Sequence, residues 1–295
     1  MTNNKCKAAL LSVFSNTTLI ALKICAGIIS GSVSILSEAI HSGMDLVASF
    51  IALFSVSVSS KPPDKEHPYG HGKIENISGT IEGILIFIAA GLIIFHSVGK
   101  FYEPQQLKET NIAIGVMFFS ALINFIVSSV LYKVAKKENS VALEADALHL
   151  KTDVYTSAGV GLGIILIKIT DLVILDPIIA ILVASLIIKE AFHLCHKAFR
   201  PLLDSKLPEQ EETVIRDVLD GYTDEICGYH NLKTRQAGSQ RYAEFHLEVN
   251  PYLSIQEYEV ISTKIQKDLN KILDNLTITI HVESPFEKWD KESYN

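Results

Sequence analysis

Ile84-Leu85-Ile86-Phe87-Ile88-Ala89-Ala90-Gly91-Leu92-Ile93-Ile94 is an unbroken run of eleven apolar residues. Extended to 77–99 it reaches the roughly 20 mostly apolar residues that a helix needs to cross a bilayer. Working outward, five more segments qualify: 8–30, 32–58, 111–132, 141–168 and 172–195. The chain is 295 residues long with a net charge of -7, and that charge is unevenly distributed. Residues 1–200 hold 31 charged side chains and sum to +1, whereas residues 201–295 hold 28 and sum to -8. Pro201 and Pro208 interrupt helix at that step. The expected organisation is a membrane domain over 1–200 followed by a soluble acidic domain over 201–295. The fold class is an α-helical membrane protein of six transmembrane helices with a C-terminal α+β domain.

The charge balance argues against nucleic acid as a partner, and the first apolar run does not read as a secretory signal peptide. Four cysteines without paired spacing exclude a disulfide-stapled scaffold or a Cys-rich zinc fold. Six spans put both termini on one side. The loops of that side hold Lys61, Lys65, Lys73, Lys133, Lys136 and Lys137, while the opposite loops hold Lys100, Lys108 and Lys168. The positive-inside rule then predicts cytosolic termini and a cytosolic acidic domain.

Three segments carry charge at membrane depth, where an idle charge is costly and so faces a bundle interior or a water cavity. The second reads Ser37-Glu-Ala-Ile-His41-Ser-Gly-Met-Asp45, and the fifth reads Ala145-Asp-Ala-Leu-His149-Leu-Lys-Thr-Asp153. Each contains His-x-x-x-Asp, and a spacing of four stacks the two side chains on one helix face. Two such helices face to face offer two imidazoles and two carboxylates to one point, a donor set that suits tetrahedral Zn²⁺. A single copy of the motif reads more readily as a buried hydrogen-bonded pair; two copies at membrane depth favour a metal. Asp146 and Glu144 form either an acidic entry path or helix-start acids. Between segments 2 and 3, Asp64, His67 and His71 lie within eight residues, and glycines at 70 and 72 allow a tight turn. This is a second candidate site or a solvated loop. His96, His193 and His196 fit no constellation and lie near segment ends.

In the acidic domain, 208–220 and 254–273 have helical periodicity, and Gly228–Gln236, Gln240–Val249 and Leu276–Val282 alternate as strands. Alternation sends His246 to the polar side of the second strand and His281 and Glu283 to the polar side of the third, with Ile278, Ile280 and Val282 toward the core. His230 lies near them on the first strand. Three surface histidines without a ligand are the alternative reading of that face.

Taken together, SEAIHSGMD (37–45), HPYGHGKIEN (67–76), ADALHLKTD (145–153) and IHVE (280–283) resemble the cation diffusion facilitator family of divalent-metal exporters over about residues 8–285. The resemblance implies six spans, a cytosolic αββαβ domain of the ferredoxin-like, metallochaperone-like kind, a homodimer in the cell membrane, and proton-coupled efflux rather than enzymatic catalysis. It implies His41, Asp45, His149 and Asp153 as the transport site, and Asp64, His67 and His71 as a loop site. His230, His246, His281 and Glu283 are then regulatory ligands, with Glu259 where a histidine is usual. Histidine at 41 resembles the zinc-preferring arrangement. Zn²⁺ is thus the expected substrate, with Cd²⁺, Co²⁺ or Fe²⁺ also admitted, and no resident cofactor is expected. The alternatives are a manganese or iron exporter of the same family and a membrane metal sensor without transport. A zinc hydrolase is disfavoured, because His-Glu-x-x-His is absent.

Overall fold

Long runs of Ile, Leu, Val and Ala wind into helix because a bilayer offers backbone polar groups no other partner. The computed structural model describes residues 2–30, 33–102, 111–170, 172 and 174–285. They form two compact units, divided between residues 200 and 201.

The first unit consists of α1 (Thr2–Ser30), α2 (Val33–Ser59), α3 (Lys73–Tyr102), α4 (Asn111–Glu138), α5 (Val141–Thr170) and α6 (Leu175–Phe199). Within the described residues all six predicted segments are helical, with ends that differ from the predicted limits by up to six residues; α2 and α6 start later than predicted, at Val33 and Leu175. Among the described residues, stretches of α1, α3, α4 and α6 are long and apolar enough to cross a membrane; in α2 the apolar stretch is the shorter Asp45–Ser59. The main pairs are α3 with α6, α1 with α2 and α4 with α5, and α5 also touches α2, α3 and α6. Such helices gain little hydrophobic drive from one another in lipid, so small residues that allow close approach decide the seams. Ala90, Ala145, Ala191 and Ala198 line the α3–α5–α6 seam. A Cβ built on Gly83 would lie 2.6 Å from the Cys195 Sγ of α6. Large apolar residues such as Phe14, Phe95, Phe118 and Phe192 point outward.

Several polar residues of α1, α2 and α5 are buried and bonded to one another. Asn16 Nδ2 donates to Ser49 Oγ at 2.8 Å, Ser12 and Ser49 hydroxyls lie 2.9 Å apart, and Ser49 reaches Asp146 Oδ1 at 3.0 Å. At the bundle end that holds the α2–α3 loop, Glu75 is buried and accepts from Lys5 Nζ at 3.0 Å, Ser59 Oγ at 2.8 Å and Ser140 Oγ at 2.5 Å. That knot joins α1, α2, α3 and the start of α5. Asn139, at φ 49°, closes α4 in the left-handed conformation that asparagine tolerates.

The second unit consists of α7 (Glu209–Asp220), β1 (Gly228–Ala237), β2 (Gln240–Glu248), α8 (Ile255–Ile272) and β3 (Leu276–Glu283). The sheet order is β1-β2-β3, antiparallel then parallel. Gly238, at φ 59°, permits the β1–β2 turn. Along β2, Ala243, Phe245 and Leu247 are buried with Ile215, Leu219, Ile261, Ile265 and Leu269 of the helices. Ser254 and Glu257 form a reciprocal capping box that starts α8. The helices therefore cover one sheet face and leave the other polar. Val282 departs from expectation: it is 48% exposed rather than core, near the end of β3, which among the described residues is an edge strand.

Candidate metal centre

α2 and α5 touch, and their shared face brings Asp45, His149 and Asp153 together. Each offers a ligand atom, and these atoms all lie within 4.8 Å of one another. Asp45 is only 4% exposed. Its Oδ1 lies 3.1 Å from His149 Nε2. Asn124 of α4 donates Nδ2 to Asp153 Oδ2 at 3.5 Å, a contact that orients the carboxylate. His41 lies on α2 one turn before Asp45, but its side chain is outside the described residues. The set combines an imidazole nitrogen and carboxylate oxygens with no sulfur, which suits Zn²⁺ and harder divalent ions rather than Cu(I). The imidazole must be neutral to ligate, so metal and proton compete for the same atom.

Close to this cluster are two acids with unused oxygens. Asp146 and Glu82 are both buried, and Asp146 Oδ2 and Glu82 Oε2 have no hydrogen-bond partner. Glu82 sits on α3 without a motif, and sequence reading missed it. Glu144, at the start of α5, pairs with Lys197 of α6 at 2.5 Å.

The α2–α3 loop folds around Asp64. Its Oδ1 accepts from the backbone N–H of His67 at 2.7 Å and of Glu66 at 3.0 Å, and its Oδ2 lies 3.3 Å from His71 Nε2. The His67 N–H, foremost among these contacts, holds the Asp64 carboxyl below the usual carboxylate range. The two imidazoles lie 4.5 Å apart. Gly70, at φ 80° beside Pro63, gives the turn that brings His71 back. Ligand atoms of Asp64, His67 and His71 also lie mutually within 4.8 Å.

On the polar sheet face, strand register aligns three histidines in a row: His230 opposite His246, and His246 opposite His281. The atoms that converge within 4.8 Å come from His230, His246 and Glu283. His230 Nε2 lies 3.4 Å from Glu283 Oε2, and His246 Nδ1 bonds to Glu283 Oε1. His281 stands beside His246 at 5.0 Å between ring centroids, but its Nε2 turns to Glu244 at 3.3 Å, outside the converging group. Glu248, opposite Glu283 in register, approaches His230 Nδ1 at 3.1 Å. Glu259 belongs to α8, which packs on the opposite, apolar face.

A family model for the cation efflux transmembrane domain matches residues 9–203, and one for the cytoplasmic domain of cation efflux proteins matches 207–285. An uncharacterized transporter of Synechocystis is 34% identical over 275 residues, covering 93% of this chain and 89% of the relative. The cation-efflux pump FieF of Serratia proteamaculans is 28% identical over 274 residues, covering 93% and 91%. A solved structure described as the zinc form of the transporter CzrB is similar over 29% of this chain and 98% of its own, with 32% identity and a TM-score of 0.28. With both family models matched and a helical bundle that gathers carboxylates and imidazole in its interior, the chain belongs to the cation efflux family, the cation diffusion facilitators.

Proposed function

We propose that this membrane transporter exports Zn²⁺ from the cytosol across the cell membrane as a homodimer, by alternating access driven by inward proton flow. The observation that carries the reading is the convergence of Asp45, His149 and Asp153 inside the helical unit. His41 is the fourth ligand, completing the tetrahedral N₂O₂ shell that zinc favours. Protonation of His149 and His41 releases metal and their deprotonation takes it up, so one set of groups couples the two fluxes. The lysine-rich bundle end faces the cytosol, as does the acidic unit. The loop cluster and the His230–His246–Glu283 cluster bind the same metal from the cytosolic side, the second as a regulatory site. Cd²⁺, Co²⁺ and Fe²⁺ are secondary substrates.

The test is counterflow in proteoliposomes with an imposed pH gradient, offering Zn²⁺, Cd²⁺, Fe²⁺ and Mn²⁺ to one preparation. Zinc uptake that collapses with the gradient and is abolished by His41→Ala and Asp153→Ala supports the assignment. Zinc flux unchanged in either variant refutes the site. Binding without flux would make the protein a sensor, and preference for Mn²⁺ or Fe²⁺ would replace the zinc assignment.

A further inference from the structure

Asn124 is 7% exposed, and only one end of its amide is used. Nδ2 meets Asp153 Oδ2 at 3.5 Å, long for a hydrogen bond. Oδ1 is buried and accepts no hydrogen bond among the described residues. A carbonyl oxygen taken from water without a partner is costly, and a bilayer interior supplies no water to offset it. The two ends of the amide are nearly the same size and sit about 2.3 Å apart on one carbon. Turning the amide over exchanges them and puts Oδ1 where Nδ2 now stands, 3.5 Å from Asp153 Oδ2. Two oxygens at that separation can both reach a single ion at about 2.0–2.2 Å. A cation held by Asp153 repels the Nδ2 hydrogens and attracts the carbonyl, so it favours the turned amide.

The extra oxygen matters differently to different ions. Zn²⁺ is content with four ligands and takes a fifth only on occasion. Mn²⁺ prefers six oxygen-rich positions, and a neutral carbonyl suits it. We infer that Asn124 is a specificity-determining residue: its amide carbonyl adds an oxygen ligand beside Asp153 that Mn²⁺ needs and Zn²⁺ can do without. This role rests on the reading of Asp45, His149 and Asp153 as the transport site. It goes beyond orienting Asp153, because an orienting contact serves every ion alike, whereas a ligand serves most the ion that wants more of them.

The test is isothermal titration of the full-length protein in detergent with Zn²⁺ and with Mn²⁺. Only the binding that Asp153→Ala removes is counted, which sets aside the loop and sheet clusters. Asn124→Ala is expected to weaken Zn²⁺ about tenfold and Mn²⁺ about a hundredfold. Asn124→Asp keeps an oxygen there without the N–H, and should hold the Mn²⁺-to-Zn²⁺ affinity ratio at or above that of the unsubstituted protein. Equal weakening of the two ions in Asn124→Ala leaves Asn124 an orienting group alone and overturns the proposal. So does a ratio that falls as far in Asn124→Asp as in Asn124→Ala, which would mark general distortion of the site, or an unsubstituted cluster that binds no Mn²⁺. Binding of both ions unaltered by Asp153→Ala is a different failure: it removes the transport site itself, and this role with it.

Discussion

Asp153 owes its orientation in part to Asn124, a residue on α4 outside the α2 and α5 motifs. Groups that hold a metal ligand in place typically contribute 10–100-fold to affinity. Asn124→Ala should therefore weaken the apparent zinc affinity of the transport site about tenfold, measured by isothermal titration, with the melting temperature little changed. An unaltered affinity would reduce the contact to packing. The limits of sequence reading show at the same scale. His149 and Asp153 were legible because a spacing of four on a helix fixes which side chains share a face. Asn124 and Glu82 were not, because each is an isolated polar residue in an apolar helix and only the packing of that helix supplies its partner. On the sheet, alternation placed His246, His281 and Glu283 on one side. The choice between Glu283 and Glu244 as partner for each imidazole depends on rotamers, which no periodicity encodes; hence His281 joins the row but not the converging group.

At the scale of elements, the helices and strands were legible almost throughout, since hydrophobic runs and period-two alternation are local properties. Which helices pair was not, because small residues at a seam look the same whichever neighbour they admit. Gly83 makes this testable. An added Cβ would meet the Cys195 Sγ at 2.6 Å, while the nearest backbone atom of Cys195 is 3.4 Å away. Gly83→Ala should destabilise the α3–α6 pair by about 1–3 kcal/mol, the usual cost of overpacking, and Cys195→Ala should restore most of it. Thermal melts of the single and double variants in one detergent check this; a double variant no better than Gly83→Ala alone would mean that the strain lies in the backbone. In the second unit, Tyr222 ties the segment after α7 to α8 by donating its hydroxyl to Asp268 Oδ2 at 2.7 Å. Burial, then that carboxylate, push the phenol from 10.0 to about 12. The native state thus holds the proton more tightly than the unfolded chain. The stabilisation is complete below pH 10 and is lost as pH rises toward 12. Tyr222→Phe should cost about 1 kcal/mol at neutral pH, and denaturant midpoints for the two proteins should converge across that alkaline window.

For the whole molecule, metal-ligand clusters occur in both units: Asp45, His149 and Asp153 in the first, and His230, His246 and Glu283 in the second. If the second cluster regulates the first, as proposed, the two sites share a coupling free energy, and linkage requires each to shift the other's affinity by the same factor. Typical couplings of 1–3 kcal/mol correspond to about 5–150-fold. Glu283 bridges both imidazoles of the regulatory cluster, so Glu283→Gln should weaken metal binding there with little change to the core, which lies on the other sheet face. In zinc flux measurements the variant should then show an apparent KM raised about fivefold or more, with maximal flux retained, because the membrane ligands are untouched. Asp153→Asn should do the reverse, abolishing flux while metal still quenches a fluorophore attached to the second unit. An unchanged KM in Glu283→Gln, alongside demonstrable loss of metal from that unit, would mean that the two clusters act independently and that the acidic unit serves assembly or metal storage instead of control.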